Sequence, residues 1–422
     1  MTPSFDNRQQ VNPAGRTSLG IYANTVSPPS TEKLKRTAAR DEAVSAGRQM
    51  RYQLQRAAQG LLPGERVKHC HRSTMNDHGV SVFRSSDGGA GFGNLATCGS
   101  VWHCPVCAAK ITEQRRKELQ QAINAWATQG GKVYLFSLTF PHLMHQPLAA
   151  NLERFSEALK KFKNSKPYKR IMEAAGSAGS IRALEVTHGN NGWHPHTHDL
   201  VFAMPDQLEL LDQLEMIWIE TLIKVGLAER NQINDMRLAA FDVQGGDYAA
   251  EYVAKFGHEA SEKSKTLTGT HWGASSELTK GYAKVGKRLS GRTPFTLLQD
   301  YAEGDKDSGE LFQEFAKHFK GKRQLFWSPK LRTALALNAE KTDAEIAAEE
   351  LPARELVAVL DHDKWKLVLS RNARGQVLKA ASQGGAEAVD ALLEELAGRS
   401  PTHQSVYYER GFIGGKWCRL DL

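Results

Sequence analysis

Two short stretches of this chain carry side chains suited to one reaction. Residues 193–202 read Trp-His-Pro-His-Thr-His-Asp-Leu-Val-Phe, and residues 248–255 read Tyr-Ala-Ala-Glu-Tyr-Val-Ala-Lys. On a strand, side chains alternate, so His194, His196 and His198 face one way and neighbouring rings stand about 6.6 Å apart along it. That spacing lets two imidazoles share one ion. Pro195 suits an edge or an irregular start, which favours His196 and His198 as the pair, with His194 as a third ligand or a supporting group. Glu185, across a tight turn on the preceding strand, supplies a carboxylate. Two histidines and a carboxylate suit Mn²⁺ or a similar divalent ion with open positions for a phosphate oxygen.

The second stretch puts Tyr248 and Tyr252 four apart on one helical face, with Lys255 close to that face. A free phenol, pKa about 10, is a weak nucleophile at neutral pH. A nearby cation lowers that pKa, and a metal makes a bound phosphorus more electrophilic. Attack would leave a phosphotyrosine bond and a free 3′-hydroxyl, with no nucleotide cofactor. The plain alternative is a packing pair of tyrosines with a Glu251–Lys255 ion pair worth about 0.2–0.5 kcal/mol.

A third group is the cysteines. Cys70, Cys98, Cys104 and Cys107 fall within 38 residues, and only Cys418 lies apart. An odd number of cysteines argues against a disulfide framework. Four thiolates make a closed tetrahedral Zn²⁺ site, with His69, His71 and His103 as alternates for one ligand. Its expected role is structural: to staple a glycine-rich segment and present Arg72 and Arg115-Arg116-Lys117 to DNA. Residues 160–170 hold six basic side chains with Phe162 and Tyr168 among them, a pattern that suits phosphates and unpaired bases. Both basic runs could equally be solvated helix faces.

The elements that must position these groups follow from periodicity. Helices are expected over 31–58, 108–129 (closed by Gly130-Gly131), 151–175, 205–225 and 247–255. Strands are expected over 132–140, 180–187, 193–204 and 236–243, with a turn at Gly189-Asn190-Asn191-Gly192. The order β-α-β-β-α-β predicts an α+β, ferredoxin-like split βαβ antiparallel sheet with helices on one face. Further on, a helix is expected at 309–319, a strand at 365–370 and a helix at 385–397. Residues 263–292 carry seven Lys/Arg against one Glu.

The whole chain has 422 residues, a net charge of +8 and a pI of about 9.1, a balance that favours a polyanionic partner. Hydrophobic residues, at 41%, suffice for a core. There is no run of about 18 apolar residues, so no membrane span is expected. Residues 1–30, rich in Asn, Ser, Pro and Gly, lack the apolar segment of a signal peptide. They read as a disordered leader on a cytoplasmic protein.

Taken together, these residues resemble the rolling-circle replication initiators of small plasmids, in the HUH endonuclease superfamily, and among them the type 1 plasmid Rep proteins. Phe136-Ser137-Leu138-Thr139-Phe140-Pro141 is similar to the first family motif. His196-Thr197-His198 with Leu200-Val201-Phe202 is similar to the second, and Tyr252 to Lys255 to the third. Residues 292–298 and 321–328 also look familial. Thr197 stands where a hydrophobe is usual, Asp199 where an apolar residue is usual, and Tyr248 where some relatives have a glutamate. Tyr248 would then be a second nucleophile, or Glu251 a base that ends the cycle.

The cysteines mark residues 31–130 as a helix and zinc module, the resemblance implies 131–335 as an HUH nuclease domain, and the Ala/Glu-rich tail 340–422 reads as a small separate C-terminal domain. The resemblance also implies nicking and joining of single-stranded DNA at a plasmid origin through Tyr252, with Tyr248 and Lys255 assisting. The catalytic ion, Mn or Mg, would sit on His196, His198, Glu185 and His194, and Zn on the four cysteines. Partners would be origin DNA, single-stranded DNA and a host helicase and polymerase. A related transposase or relaxase would use the same chemistry, although relaxases often place the tyrosine ahead of the histidines. A zinc-containing DNA-binding regulator without nuclease activity is the alternative of another class.

Overall fold

The computed structural model describes residues 31–86, 88–245, 249, 252–253, 291–350, 354–398, 410–413 and 416–419. Tyr248, Glu251, Lys255, the leader 1–30 and most of the basic stretch 263–292 lie outside them. The chain divides into Met1–Asp41 and Glu42–Leu422. The first unit is described only as the opening of the helix Thr31–Leu61 (α1). The other described elements all belong to the second unit.

A five-stranded antiparallel sheet positions the histidines. Its strands are β3 (Lys132–Leu138), β4 (Gly179–Gly189), β5 (Gly192–Ala203), β6 (Phe241–Gln244) and β7 (Leu325–Trp327), in the order β6-β3-β5-β4-β7. Helices α3 (Leu148–Asn164) and α4 (Lys166–Ala174) link β3 to β4. Helices α5 (Leu208–Asp212), α6 (Leu214–Lys224) and α7 (Ile233–Ala239) link β5 to β6. The connectivity is therefore β-α-β-β-α-β, with β7 added at an edge. The β4–β5 hairpin closes through Asn190-Asn191, with Gly189 opposite Gly192. Gly192 has φ +79°, and a Cβ there would meet the carbonyl oxygen of Met144 at 2.9 Å, so glycine is required twice over.

Helices cover both faces of this sheet, not one as expected. On one face, Tyr134, Phe136 and Val201 pack with Phe155, Leu159, Phe162 and Trp218 of α3 and α6. On the other, Val133, Leu135, Leu200 and Phe202 pack with Leu119, Ala122 and Trp126 of α2 (Pro105–Thr128), and with Tyr252 and Val253. Each fully buried large apolar side chain contributes about 1.5–3 kcal/mol. Cys104 caps α2 by accepting from the Cys107 amide, and Pro105 sits at its first position. In the last turn of α2, the Trp126 indole donates to the carbonyls of Lys132 and Ala203, both at 3.0 Å, and ties the helix to the sheet.

A second sheet has the order β2-β1-β8, from β1 (Val80–Ser85), β2 (Ala90–Gly93) and β8 (Arg354–Leu360). Two expectations change here. Residues 365–370 form part of a helix, His362–Ser370, rather than a strand. The strand lies earlier, at β8, while the helix expected over 385–397 is present, set off by a break at Gly385 (φ +65°) from a preceding helix that opens at Arg374. Among the described residues, 354–398 share a sheet and a core with the first part of the chain, where a small separate domain was expected. β8 pairs along the whole of β1, and Val80, Val82 and Tyr52 share a core with Trp365, Val377 and Leu393. Gly99, beside Cys98, approaches Ala344 so closely that a Cβ would lie 2.8 Å from its Cα.

The strand expected over 236–243 is also shorter. Met236 belongs to α7, and only Phe241–Gln244 is extended. Among the described residues, no helix is long and apolar enough to cross a membrane.

Candidate metal centres and the tyrosine beside them

The register of the hairpin builds the first site. Glu185 pairs with His196 across β4 and β5, and Ala183 with His198. Glu185, His196 and His198 therefore share the face that also carries Leu200, Phe202 and Tyr252. Glu185 Oε2 lies 3.5 Å from His196 Nε2 and 3.9 Å from His198 Nε2. One donor atom from each residue falls within 4.8 Å of the others. An octahedral ion at about 2.1 Å from its ligands spaces neighbours about 3 Å apart, so small side-chain shifts would close this group on an ion.

The outer partners suit metal ligation. His196 Nδ1 lies 3.1 Å from the His194 carbonyl, to which it can only donate, leaving Nε2 with its lone pair toward Glu185. His198 Nδ1 lies 3.1 Å from Ser137 Oγ. Burial, ahead of nearby charges, holds the His198 imidazole below its usual pKa and so in the neutral, ligating form.

Glu185 is fully buried, and the Tyr252 hydroxyl donates to its Oε1 at 2.9 Å. The Tyr252 ring lies 5.1 Å from that of His198. Burial first, and then the Glu185 carboxylate, push the phenol well above its ordinary pKa. A cation bound to Glu185 would offset that carboxylate's charge.

His194 is not one of the grouped donors. Its ring stacks on His142 at 4.5 Å, with 8° between planes, and it serves His196 through its backbone carbonyl. Burial lowers its pKa to about 2. Pro195 fits because β3 pairs with β5 only as far as Thr197, so one side of β5 is open beyond it. Thr197 and Asp199 do not face solvent, since both are buried. Asp199 forms an ion pair with Lys163 of α3, which accounts for a carboxylate on the sheet's other face.

The cysteines form the second site. All four are buried and not in disulfides. Sulfur–sulfur distances are 3.7 Å for Cys70–Cys104, 3.4 Å for Cys70–Cys107 and 3.6 Å for Cys98–Cys107. Zn–S bonds of about 2.3 Å place tetrahedral sulfurs about 3.8 Å apart, so the donor set fits a Zn²⁺ ion. The Cys98 amide donates to Cys70 Sγ, the Cys107 amide and Gln55 Nε2 donate to Cys104 Sγ, and the N-terminus of α2 favours thiolate. Hydrogen bonds from Cys104, Cys107 and Cys98, followed by burial, push the Cys70 thiol up from its ordinary pKa. The alternates are engaged elsewhere: His103 Nε2 meets the Ala316 carbonyl at 2.9 Å, and His69 Nδ1 meets Ser73 Oγ at 3.2 Å. The His71 ring stands 6.0 Å from that of Tyr52.

The two basic runs are only partly available. Arg115 is buried among Glu118, Glu340 and Asp343, and Arg116 is paired with Glu113. Phe162 and Tyr168 are core residues on the face of the sheet away from Tyr252. Lys160, Lys166, Lys169 and Arg170 remain exposed there.

Sequence reasoning passed over Ser137 and His142. Their signal was present: Ser137 lies in the first motif and shares its face with His198 through the register, and His142 follows two residues after Phe140. Gln55 and Arg374, beside the cysteines, carried no signal.

Comparison with known proteins joins these observations. Residues 94–220 match the family model Rep_1, described as a replication protein. That span holds Glu185, His196, His198 and three of the cysteines, and it ends before Tyr252. The chain is 26% identical over 370 residues to a protein named Protein rep of Streptomyces lividans, covering 72% of this chain and 79% of that one. It is 30% identical over 152 residues to a neomycin resistance protein of Streptomyces cyanogenus, covering 30% of this chain and 35% of that relative. No solved structure matches significantly. The resemblance to plasmid Rep proteins read from the motifs is thus borne out.

Proposed function

We propose that this chain initiates rolling-circle replication of a plasmid by nicking and rejoining one DNA strand at the origin, as an HUH endonuclease. One observation carries the reading: the Tyr252 hydroxyl and two imidazoles converge on the same carboxylate, Glu185. A divalent ion, Mn²⁺ or Mg²⁺, on His196, His198 and Glu185 would polarise the scissile phosphate.

The Tyr252 oxygen attacks phosphorus, forms the phosphotyrosine bond and displaces the 3′-oxygen. The phenolic proton is lost and the leaving oxygen gains one, so the exchange needs no nucleotide cofactor. The 5′ end stays on Tyr252 and the 3′-hydroxyl primes synthesis by a host polymerase behind a host helicase, in the cytoplasm. Tyr248 and Lys255, outside the described residues, would act as second nucleophile and as cation. The four cysteines hold a structural Zn²⁺, and residues 131–335 form the nuclease unit. The net charge of +8 suits a DNA partner.

The test is incubation of the full chain with a supercoiled plasmid carrying its origin and Mn²⁺, followed by a denaturing gel. A protein–DNA adduct that disappears in Tyr252→Phe supports the proposal. Origin binding without any nick would point instead to a zinc-containing regulator.

A further inference from the structure

Arg374 is a buried cation without a carboxylate. Only 3% of it is exposed, and among the described residues no Asp or Glu stands within ion-pair distance. Its guanidinium donates to Gln55 Oε1 at 2.7 Å and to the carbonyls of His71 at 3.0 Å and Tyr52 at 3.3 Å. It lies over the Tyr52 ring at 4.5 Å, and among the described residues its Nε has no hydrogen-bond partner. Arg374 also opens the helix Arg374–Gly398, where the helix dipole disfavours a positive charge. Burial lowers its pKa to about 10, so it remains charged at neutral pH. A buried guanidinium needs an anion nearby.

The anion on hand is the cysteine cluster. Gln55, itself fully buried, links the two groups: its oxygen accepts from Arg374 and its amide donates to Cys104 Sγ at 3.1 Å. As thiolates, Cys70 and Cys104 would stabilise the Arg374 charge against the burial that opposes it. Four neutral thiols would give that charge no partner, whereas four thiolates around one Zn²⁺ carry a net charge of −2. Lys110, on the same helix as Cys107, donates to the Ala347 carbonyl at 3.0 Å and adds a second cation near the cluster.

We infer that Arg374, acting through Gln55, is the internal counter-ion of a metal–tetrathiolate centre and sets how tightly that centre holds its ion. The inference rests on the zinc reading of the cysteines. Arg374 is a positioning residue, not a ligand, and it couples the C-terminal helix to the metal site. Outer partners of this kind change metal affinity by about 10–100-fold when removed.

The test uses the full chain purified with zinc, with release to a chromogenic chelator and the thiolate-to-metal absorption of the Co²⁺-substituted protein as readouts. Arg374→Met is expected to raise the apparent zinc dissociation constant by about 10–100-fold and to shift the Co²⁺ charge-transfer band. Arg374→Lys should restore part of the affinity. Gln55→Leu, which leaves Arg374 in place, should weaken binding in the same direction and covers the case in which Arg374→Met does not fold. Wild-type protein that binds zinc while both variants hold it within twofold of wild type, with unshifted bands, overturns the inference and leaves the zinc site standing. Wild-type protein that takes up neither zinc nor Co²⁺ overturns both.

Discussion

The Tyr252 hydroxyl donates to Oε1 of Glu185 at 2.9 Å, while the other oxygen of that carboxylate faces the Nε2 atoms of His196 and His198. The proposed nucleophile and the proposed ion site therefore meet on one buried side chain. A loss of geometry at Glu185 would disturb both.

Tyr252→Phe should abolish the covalent adduct and lower the nicking rate by on the order of 10⁴-fold or more. Binding to a duplex origin should change little, because the ring stays in place and only the hydroxyl is lost. Gel quantification of nicked plasmid, beside a binding titration, separates these effects. Adduct formation at the wild-type level would remove Tyr252 from the chemistry.

Substitution of one ion ligand should weaken the ion without unfolding the protein. His198→Ala is expected to raise the Mn²⁺ concentration for half-maximal nicking by about 10–100-fold or more. Excess Mn²⁺ should recover part of the rate. A variant with unchanged Mn²⁺ dependence would show that the ion sits elsewhere.

Stability should fall with acid through His194. Its folded pKa, about 2, lies far below the ordinary 6.5, and burial is the main cause. The unfolded chain therefore takes up a proton below about 6.5 that the folded chain refuses. The contribution is whole above that pH and is lost as pH falls toward 2, at up to about 1.4 kcal/mol per pH unit. His194→Phe should flatten the decline in urea unfolding between pH 7 and pH 5, measured without added divalent ions. An unchanged slope would place the acid sensitivity elsewhere.

The Lys163–Asp199 pair makes a separate prediction. Lys163→Met strands a buried carboxylate and should cost about 3 kcal/mol or more. Adding Asp199→Asn to it should restore most of the loss. If urea unfolding shows the single variant as stable as wild type, Asp199 is not held as a buried anion.

Ending the chain after Glu350 should yield insoluble or unfolded protein. The cut removes β8 from β1 and bares Val80, Val82 and Tyr52, leaving an open apolar edge. A soluble truncate with wild-type circular dichroism per residue would restore the picture of a separate C-terminal domain.

Much of the site was legible because its signals are local. The alternation of His194, His196 and His198, the Asn190-Asn191 turn and the clustered cysteines are short-range patterns with direct geometric consequences. The turn sets the β4–β5 register, and that register alone brings Glu185 opposite His196. The error at residues 365–370 has the opposite origin. Trp365-Lys366-Leu367-Val368-Leu369 is a short, mostly apolar run of the kind a strand carries, but an Asp361 cap and the packing of Trp365 and Val368 against Val80 and Val82 make a helix of it.

The ligand types and their spacing were determined by the sequence alone, since they depend on periods of two and 3.6 residues and on a two-residue turn. Only the tertiary structure decided that Tyr252 returns to Glu185, 67 positions away, that Arg115 is paired with Glu118, Glu340 and Asp343, and that Arg374 comes to rest beside Gln55, 319 positions away. Such contacts are fixed by how whole layers pack, and the energy that selects them is spread over many apolar side chains with no mark at the residues they bring together.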